Sequence, residues 1–226
     1  MLVRIPQLLS KAEAADMRRR LEQAPWVDGK VTAGAQSARA KHNLQVPEEV
    51  PVARELGETI LTALGQNETF VSAALPMRVF PPLFNRYEAG MDFKAHVDNA
   101  IRFAPGMIRM RTDVSTTLFL SEPEDYDGGE LVIEDTYGEQ RIKFAAGDAV
   151  LYPATSLHRV EPVTRGARWA SFFWTQSMVR DEAQRRTLYD LDTAIQQVRG
   201  TMSDDDHAVI SLTGVYHNLL RMWAET

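Results

Sequence analysis

The stretch Tyr87-Glu88-Ala89-Gly90-Met91-Asp92-Phe93-Lys94-Ala95-His96-Val97-Asp98 ends in a His-x-Asp motif, near the start of the strand-like part of the chain. Successive side chains of an extended strand point to opposite faces, so His96 and Asp98 would share a face while Val97 points away. A further imidazole, that of His158, follows much later in the chain. The stretch therefore predicts a site built on strands, with two ligand side chains here and a third from a distant segment.

Around this stretch the apolar pattern has a period of two, which is typical of strands. Eight segments show it: 77–80, 83–87, 114–120, 130–133, 140–144, 149–152, 158–162 and 168–174. Turn signals such as Asp127-Gly128-Gly129 and Arg165-Gly166 separate the segments. Short strands at hairpin spacing predict a mainly β fold, a double-stranded β-helix (jelly roll), with helices flanking it.

Helical patterns precede the strands. Ser10 and Glu13 form a capping-box signal for a helix that reaches about Gln23. A second helix is predicted over 48–64, with Gly65 as its C-terminal cap, and residues 29–47 resemble a loop or short strand. These helices would pack against one sheet of the jelly roll.

After the strands the pattern is helical again. One helix is predicted to end at Gly200, and Ser203 is predicted to cap a second. The chain therefore divides into an N-terminal helical and mixed segment (1–77), a jelly-roll domain (78–178) and a C-terminal helical hairpin (179–226). The apolar stripes of the hairpin suit either a homo-oligomer interface or packing on the protein's own barrel.

Composition narrows the function classes. The 226 residues are 44% hydrophobic and 25% charged, as in globular proteins, and the formal net charge of −6 argues against a general nucleic-acid binder. No apolar run approaches the roughly 18–20 residues of a membrane span, and the N-terminus lacks the apolar core of a signal peptide. We therefore expect a cytoplasmic protein without nucleic-acid or membrane partners.

The chain has no cysteine and five histidines, so any metal must be held by nitrogen and oxygen ligands. Two imidazoles and one carboxylate on one side of a metal form the facial triad of non-haem Fe(II) sites. His96, Asp98 and His158 are the candidates. Each alone could be an ordinary surface or loop residue, and His42, beside Lys41 in a polar loop, is predicted to be solvated.

Arg168 is the fourth candidate. In a strand over 168–174 it shares a face with Ala170, Phe172 and Trp174, so an inward-facing Arg168 would be a buried guanidinium among apolar side chains. Such a group needs an anionic partner, and its planar fork matches a carboxylate. Alternatively, Arg168 lies exposed at the start of the strand or pairs with an acidic side chain.

Taken together, these residues resemble a known family. The motif His96-Val97-Asp98, the run Tyr126-Asp127-Gly128-Gly129-Glu130-Leu131, the segment from Gly147-Asp148 to His158, and Arg168 are similar to Fe(II)/2-oxoglutarate-dependent dioxygenases of prolyl-hydroxylase type. The motifs cover about residues 78–178. With its C-terminal helical hairpin, the whole chain resembles the bacterial PKHD-type hydroxylases, some of which are associated with iron or siderophore uptake.

The resemblance implies that His96, Asp98 and His158 bind Fe(II), that they form the catalytic centre, and that Arg168 binds 2-oxoglutarate. Tyr87 matches a position that often contacts the cosubstrate carboxylate. Many relatives carry a hydroxyl residue two positions after the arginine, where this chain has Ala170. The cosubstrate would then find its second hydroxyl at Tyr87 or Thr117, or in water. Because the prolyl-hydroxylase group often has lysine in place of Arg168, peptidyl-proline is in doubt as substrate.

The resemblance also implies the partners. They are dioxygen, a small-molecule or protein substrate, 2-oxoglutarate as cosubstrate, and ascorbate, which keeps the iron reduced in assays. Two other function classes stay open: a non-catalytic cupin-like sensor of metal or 2-oxoglutarate, and a metal-dependent hydrolase or isomerase. Only the 2-oxoglutarate hypothesis gives Arg168 a partner.

The segment 99–113 between Asp98 and the next predicted strand carries Arg102, Arg109 and Arg111. We hypothesise that it forms a lid over the site and helps to bind an anionic substrate. A solvated connection, balanced by the acidic stretch 122–127, is the alternative.

Overall fold

The computed structural model describes residues 1–32 and 40–225. Five α-helices lie wholly within these ranges and are numbered here in chain order: α1 (Lys11–Glu22), α2 (Pro51–Gln66), α3 (Glu68–Ala74), α4 (Glu182–Arg199) and α5 (His207–Trp223). The strands are β1 (Val3–Ile5), β2 (Val27–Asp28), β3 (Lys41–His42), β4 (Leu44–Gln45), β5 (Pro76–Val79), β6 (Leu83–Glu88), β7 (Asp92–His96), β8 (Ile101–Ala104), β9 (Ile108–Arg111), β10 (Val114–Phe119), β11 (Tyr126–Gly128), β12 (Leu131–Asp135), β13 (Gly138–Ile142), β14 (Ala149–Pro153), β15 (His158–Val160) and β16 (Val163–Ser177).

Two antiparallel sheets form the core. The major sheet has the order β1-β14-β10-β16-β6-β4-β2, with β5 and β11 also paired to β16, and the minor sheet has the order β13-β12-β15-β7-β3. Side chains from both sheets share one buried cluster, including Phe119 and Tyr152 from the major sheet and Leu131 and Val160 from the minor sheet. The predicted jelly roll with flanking helices is confirmed.

The outer face of the major sheet is covered by the N-terminal helices. Met17 of α1 and Ile60 of α2 are fully buried with Leu118 of β10 and Phe173 of β16 in the largest apolar cluster. Burying one apolar side chain of this size contributes roughly 1.5–3 kcal/mol. The inner face of the same sheet lines the pocket between the two sheets.

All eight predicted strands exist, with ends that differ by a few residues. Sequence patterns missed several others, among them β7, which carries the His-x-Asp motif, and the two-stranded sheet β8–β9. That hairpin occupies the segment that was hypothesised as a lid, and the lid role stays a prediction. Of the predicted loop or short strand over 29–47, residues 33–39 lie outside the described part, and β3 and β4 are short strands.

Two predicted helix caps are wrong. Helix α2 passes through Gly65 to Gln66, because Asn67 is extended and its side chain caps the next helix, α3, by accepting from Phe70 N. Helix α3 was not predicted. Asp206, not Ser203, caps α5, because its carboxylate accepts from Ala208 N. The Ser10–Glu13 capping box of α1 is present.

The C-terminal hairpin packs on the protein's own core. Leu188 of α4 is fully buried with Leu75 and Val179, and Tyr216 and Trp223 of α5 pack partly buried against them. A role in oligomers and the domain division at 77/78 and 178/179 stay predictions. Within residues 1–32 and 40–225, none of the helices has the length and apolar character needed to span a bilayer.

Candidate metal centre

The three predicted ligand side chains lie together at the inner face of the minor sheet. His96 at the end of β7 pairs directly with His158 of β15 in the antiparallel register. One donor atom from each of His96, Asp98 and His158 lies within 4.8 Å of the other two, and Asp98 Oδ2 lies 3.8 Å from His158 Nε2. Strand β7 ends at His96, so Asp98 reaches this cluster from the connection to β8 and not from an extended strand.

Backbone carbonyls orient both imidazoles. His96 Nδ1 lies 2.8 Å from the carbonyl oxygen of Lys94, and His158 Nδ1 lies 3.0 Å from that of Ser156. A carbonyl only accepts, so each Nδ1 must donate and each Nε2 keeps its lone pair for a metal. The ring orientation and the tautomer are therefore prepared by the fold before a metal binds.

The surroundings of His96 favour its neutral form. Burial, followed by the neighbouring His158, lowers the pKa of His96 to about 4. Phe93 stacks on the ring with centroids 3.6 Å apart, and the His158 centroid lies 4.3 Å away. Neutral imidazole is the form that ligates metals, so His96 needs no deprotonation at neutral pH.

Ser115 of β10 holds the carboxylate and was missed in the sequence. Its hydroxyl donates to Asp98 Oδ2 at 2.5 Å. This bond joins β10 of the major sheet to the connection that follows β7 of the minor sheet. Hydrogen bonds of this kind fix the geometry of metal-binding carboxylates. One sequence signal could have found it: Ser115 and Thr117 are polar residues two positions apart, so they share the inward face of a buried strand.

Arg168 lies deep in the same pocket, at 1% exposure. Strand β16 pairs it with Tyr87 of β6, and its guanidinium carbon lies 5.4 Å from the Tyr87 ring and 5.3 Å from the Phe119 ring. Its Nε is buried and has no hydrogen-bond partner among residues 1–32 and 40–225. The alternative of an exposed Arg168 is wrong.

Hydroxyl groups surround this guanidinium. Burial raises the pKa of Tyr87 to about 12, and the charge of Arg168 opposes that rise. Burial also raises the pKa of Tyr126, and the charge of Arg168 opposes that rise as well. Thr117 hydrogen-bonds with Tyr152, and both line the pocket. Sequence patterns did not single out Tyr152, although this residue lies on the strand predicted over 149–152.

The remaining histidines do not join the cluster. His42 is exposed on β3, as predicted, and His207 and His217 are exposed on α5. The residue beside His42 behaves differently: Lys41 is buried and lines the pocket. Sequence patterns gave no sign of this, because Lys41 belongs to a strand of only two residues.

Comparison with known proteins places this geometry in a family. Residues 82–176 match the model of the 2OG-Fe(II) oxygenase superfamily, and residues 182–225 match the PKHD-type hydroxylase C-terminal domain. A PKHD-type hydroxylase of Methylobacterium nodulans is 62% identical over 226 residues, which is 100% of both chains. One from Saccharophagus degradans is 60% identical over 227 residues, again 100% of both.

Solved structures with low identity share the fold. A Pseudomonas putida prolyl-4-hydroxylase superposes with a TM-score of 0.53 at 19% identity, covering 78% of this chain and 92% of that one. HygX from Streptomyces hygroscopicus, solved with nickel and 2-oxoglutarate bound, gives 0.54 at 16% identity, covering 78% and 82%. The relatives that are 62% and 60% identical match over 100% of both chains. The chain therefore belongs to the PKHD-type hydroxylases, a family of 2-oxoglutarate- and Fe(II)-dependent oxygenases.

Proposed function

We propose that this enzyme hydroxylates its substrate at an iron centre held by His96, Asp98 and His158, with 2-oxoglutarate anchored by Arg168. One observation carries the assignment. A buried guanidinium whose Nε lacks a partner among the described residues lies in the same pocket as the His-Asp-His cluster. A buried cation of this kind calls for an anion, and a dicarboxylic acid can reach both groups.

The residues present fit both the metal and the cosubstrate. Two imidazoles and one carboxylate, without thiolates, suit divalent iron and leave one side of it open. The fork of Arg168 offers parallel N–H donors to the distal carboxylate, and the Tyr87 hydroxyl is a second donor beside it. Thr117, which lines the same wall, is our candidate for the hydroxyl contact that Ala170 cannot supply.

When bound, Fe(II) and 2-oxoglutarate supply the activation of dioxygen, with 2-oxoglutarate leaving as succinate and carbon dioxide while one oxygen atom enters a substrate C–H bond. The chain's own residues orient these reactants. Ser115 fixes the carboxylate of Asp98, and the carbonyls of Lys94 and Ser156 fix the two imidazoles. Leu131, Val160 and Phe172 form apolar walls that keep water from the reacting atoms.

The other function classes have less support. Family membership does not favour a non-catalytic sensor, and a hydrolase or isomerase would leave Arg168 without a role. The link to iron or siderophore uptake and the use of ascorbate are also our proposals. Transcript levels under iron limitation, and uptake of labelled ferric siderophore by a deletion strain, test the first. Turnover number with and without ascorbate tests the second.

An anaerobic titration tests the site assignment. Fe(II) and 2-oxoglutarate together should give the visible charge-transfer band of a chelated complex, and admitted oxygen should release succinate. We expect His96→Ala to lose the band and Arg168→Gln to need far more 2-oxoglutarate to form it. The matched control is His42→Ala, an exposed histidine on the neighbouring strand, which should behave as wild type. An undiminished band in His96→Ala would refute the assignment.

A further inference from the structure

The pocket contains two cationic side chains besides Arg168. Arg102 of β8 places its guanidinium carbon 4.1 Å from the Trp174 ring centroid and 4.9 Å from that of Phe80. Lys41 of β3 places its Nζ 5.6 Å from the Phe93 ring and 5.5 Å from the Phe172 ring. Both residues line the pocket that holds the His-Asp-His cluster.

These cations lie far from the cosubstrate anchor. Arg168, Phe172 and Trp174 follow one another on the inward face of β16. At about 3.4 Å per residue, Phe172 is roughly 14 Å and Trp174 roughly 20 Å along the strand from Arg168. A five-carbon diacid anchored at Arg168 does not span that distance and also ligate a metal on the way. Lys41, whose Nζ also donates to Gln45 Oε1, and Arg102 therefore lie beyond the reach of a cosubstrate anchored at Arg168.

We propose that the substrate carries a carboxylate, which binds between Arg102 and Lys41 in the pocket while its apolar body contacts the surrounding aromatic rings. This inference rests on the proposed function, because it names the substrate class of the same site. The planar fork of an arginine donates two parallel hydrogen bonds to a carboxylate, and a lysine adds a point charge. The rings of Phe93, Phe172 and Trp174 supply the apolar contacts.

The electrostatics of the pocket support an anionic occupant. Burial, followed by the charge of Arg102, lowers the pKa of Lys41 to about 7, and burial also lowers the pKa of Arg102. The negative charges of Glu48 and Asp98 raise the pKa of Arg102. The buried Nε of Arg102 has no hydrogen-bond partner within the described ranges. An anion between the two cations would favour the charged form of each.

Neighbouring arginines of the hairpin do not compete for this role. Arg111 donates to Asp113 and to Glu225, so its charge is already matched. Arg109 pairs with Phe103 across the hairpin, and both are exposed on the face opposite Arg102. Of the three arginines hypothesised to bind an anion, Arg102 is the one that lines the pocket.

The test measures binding of two isosteric probes, benzoate and benzamide, to the metal-free full-length protein by isothermal titration calorimetry. We expect benzoate to bind at least about tenfold more tightly than benzamide, since hydrogen bonds to a charged carboxylate are stronger than those to a neutral amide. Arg102→Gln and Lys41→Met should each lower benzoate affinity about tenfold and leave benzamide within about twofold. Arg109→Gln, the matched control on the same hairpin, should change neither.

Two further variants keep the outcome decisive. Arg102→Lys retains the charge and should recover part of the benzoate affinity, provided that circular dichroism shows an unchanged fold. Benzoate bound at Arg168 would form a second site, which Arg168→Gln should remove while it keeps the site that depends on Arg102 and Lys41. Equal affinity for the two probes, no effect of Arg102→Gln and Lys41→Met, or a complete loss of benzoate binding in Arg168→Gln would overturn the proposal. Because these titrations need neither Fe(II) nor 2-oxoglutarate, they are independent of the test of the proposed function.

Discussion

His96 and His158 are opposite each other in the antiparallel pairing of β7 and β15, with their imidazole centroids 4.3 Å apart. The register is irregular immediately beyond, between His158 and Val160. Since a shift of one residue would turn one ring to the other face of the sheet, the candidate site depends on this single register. Two strands more than fifty residues apart in sequence must pair in one way for the rings to meet.

Removing the hydroxyl that holds Asp98 should weaken metal binding without unfolding the protein. For Ser115→Ala we expect Fe(II) affinity to fall about 10–100-fold, as for other changes to residues that orient metal ligands. Anaerobic Fe(II) titration measures it, with Ser211→Ala on exposed α5 as the control. Wild-type affinity in Ser115→Ala would mean that the fold alone orients the carboxylate.

Arg168 should control cosubstrate affinity and leave the metal centre alone. In Arg168→Gln the apparent KM for 2-oxoglutarate should rise by about two orders of magnitude, because truncating one partner of a buried charge pair costs roughly 2–5 kcal/mol. Fe(II) affinity, measured without cosubstrate, should change little. A variant that loses both affinities together would indicate a folding defect, and one that loses neither would remove Arg168 from the cosubstrate site.

Lys41 should make stability depend on pH. Its pKa is lowered to about 7 in the folded state, so between this value and its ordinary pKa of 10.5 the unfolded chain binds more protons than the folded one. Wild-type stability should therefore rise with pH across that window. Because Lys41→Met removes the cost of burying the charged amine, its Tm should exceed that of the wild type. The difference should be largest near about pH 6 and shrink towards about pH 9.5. A pH-independent Tm difference would contradict this.

Two glycines should respond to alanine in opposite directions. Gly128 has φ +70°, and an added Cβ would lie 2.1 Å from the carbonyl oxygen of Pro162, so Gly128→Ala should cost about 2–4 kcal/mol. Gly65 lies inside α2 with nothing within 4 Å of an added Cβ, so Gly65→Ala should stabilise by about 0.5–1 kcal/mol. Urea unfolding measures both, and destabilisation by Gly65→Ala would mean that α2 ends there.

The local chemistry was predictable from the sequence. Donor types that suit iron, a His-x-Asp motif near the strands, and a later histidine and arginine on strand patterns are properties of neighbouring residues. Inward-facing Arg168 also follows from the period of two in its own strand. These features need no knowledge of which segments pair, and the structure places all four side chains in one pocket.

The tertiary structure alone decided which other side chains reach the pocket. By sequence, Lys41 belongs to a polar loop and Arg102 is one of three arginines in a connection, yet both line the pocket because β3 pairs with β7 and β8–β9 folds back as a hairpin. Ser115 reaches Asp98 only because the two sheets face each other. Pairing between distant segments is a long-range property, and a periodic pattern within one segment carries no information about the partner strand or its register.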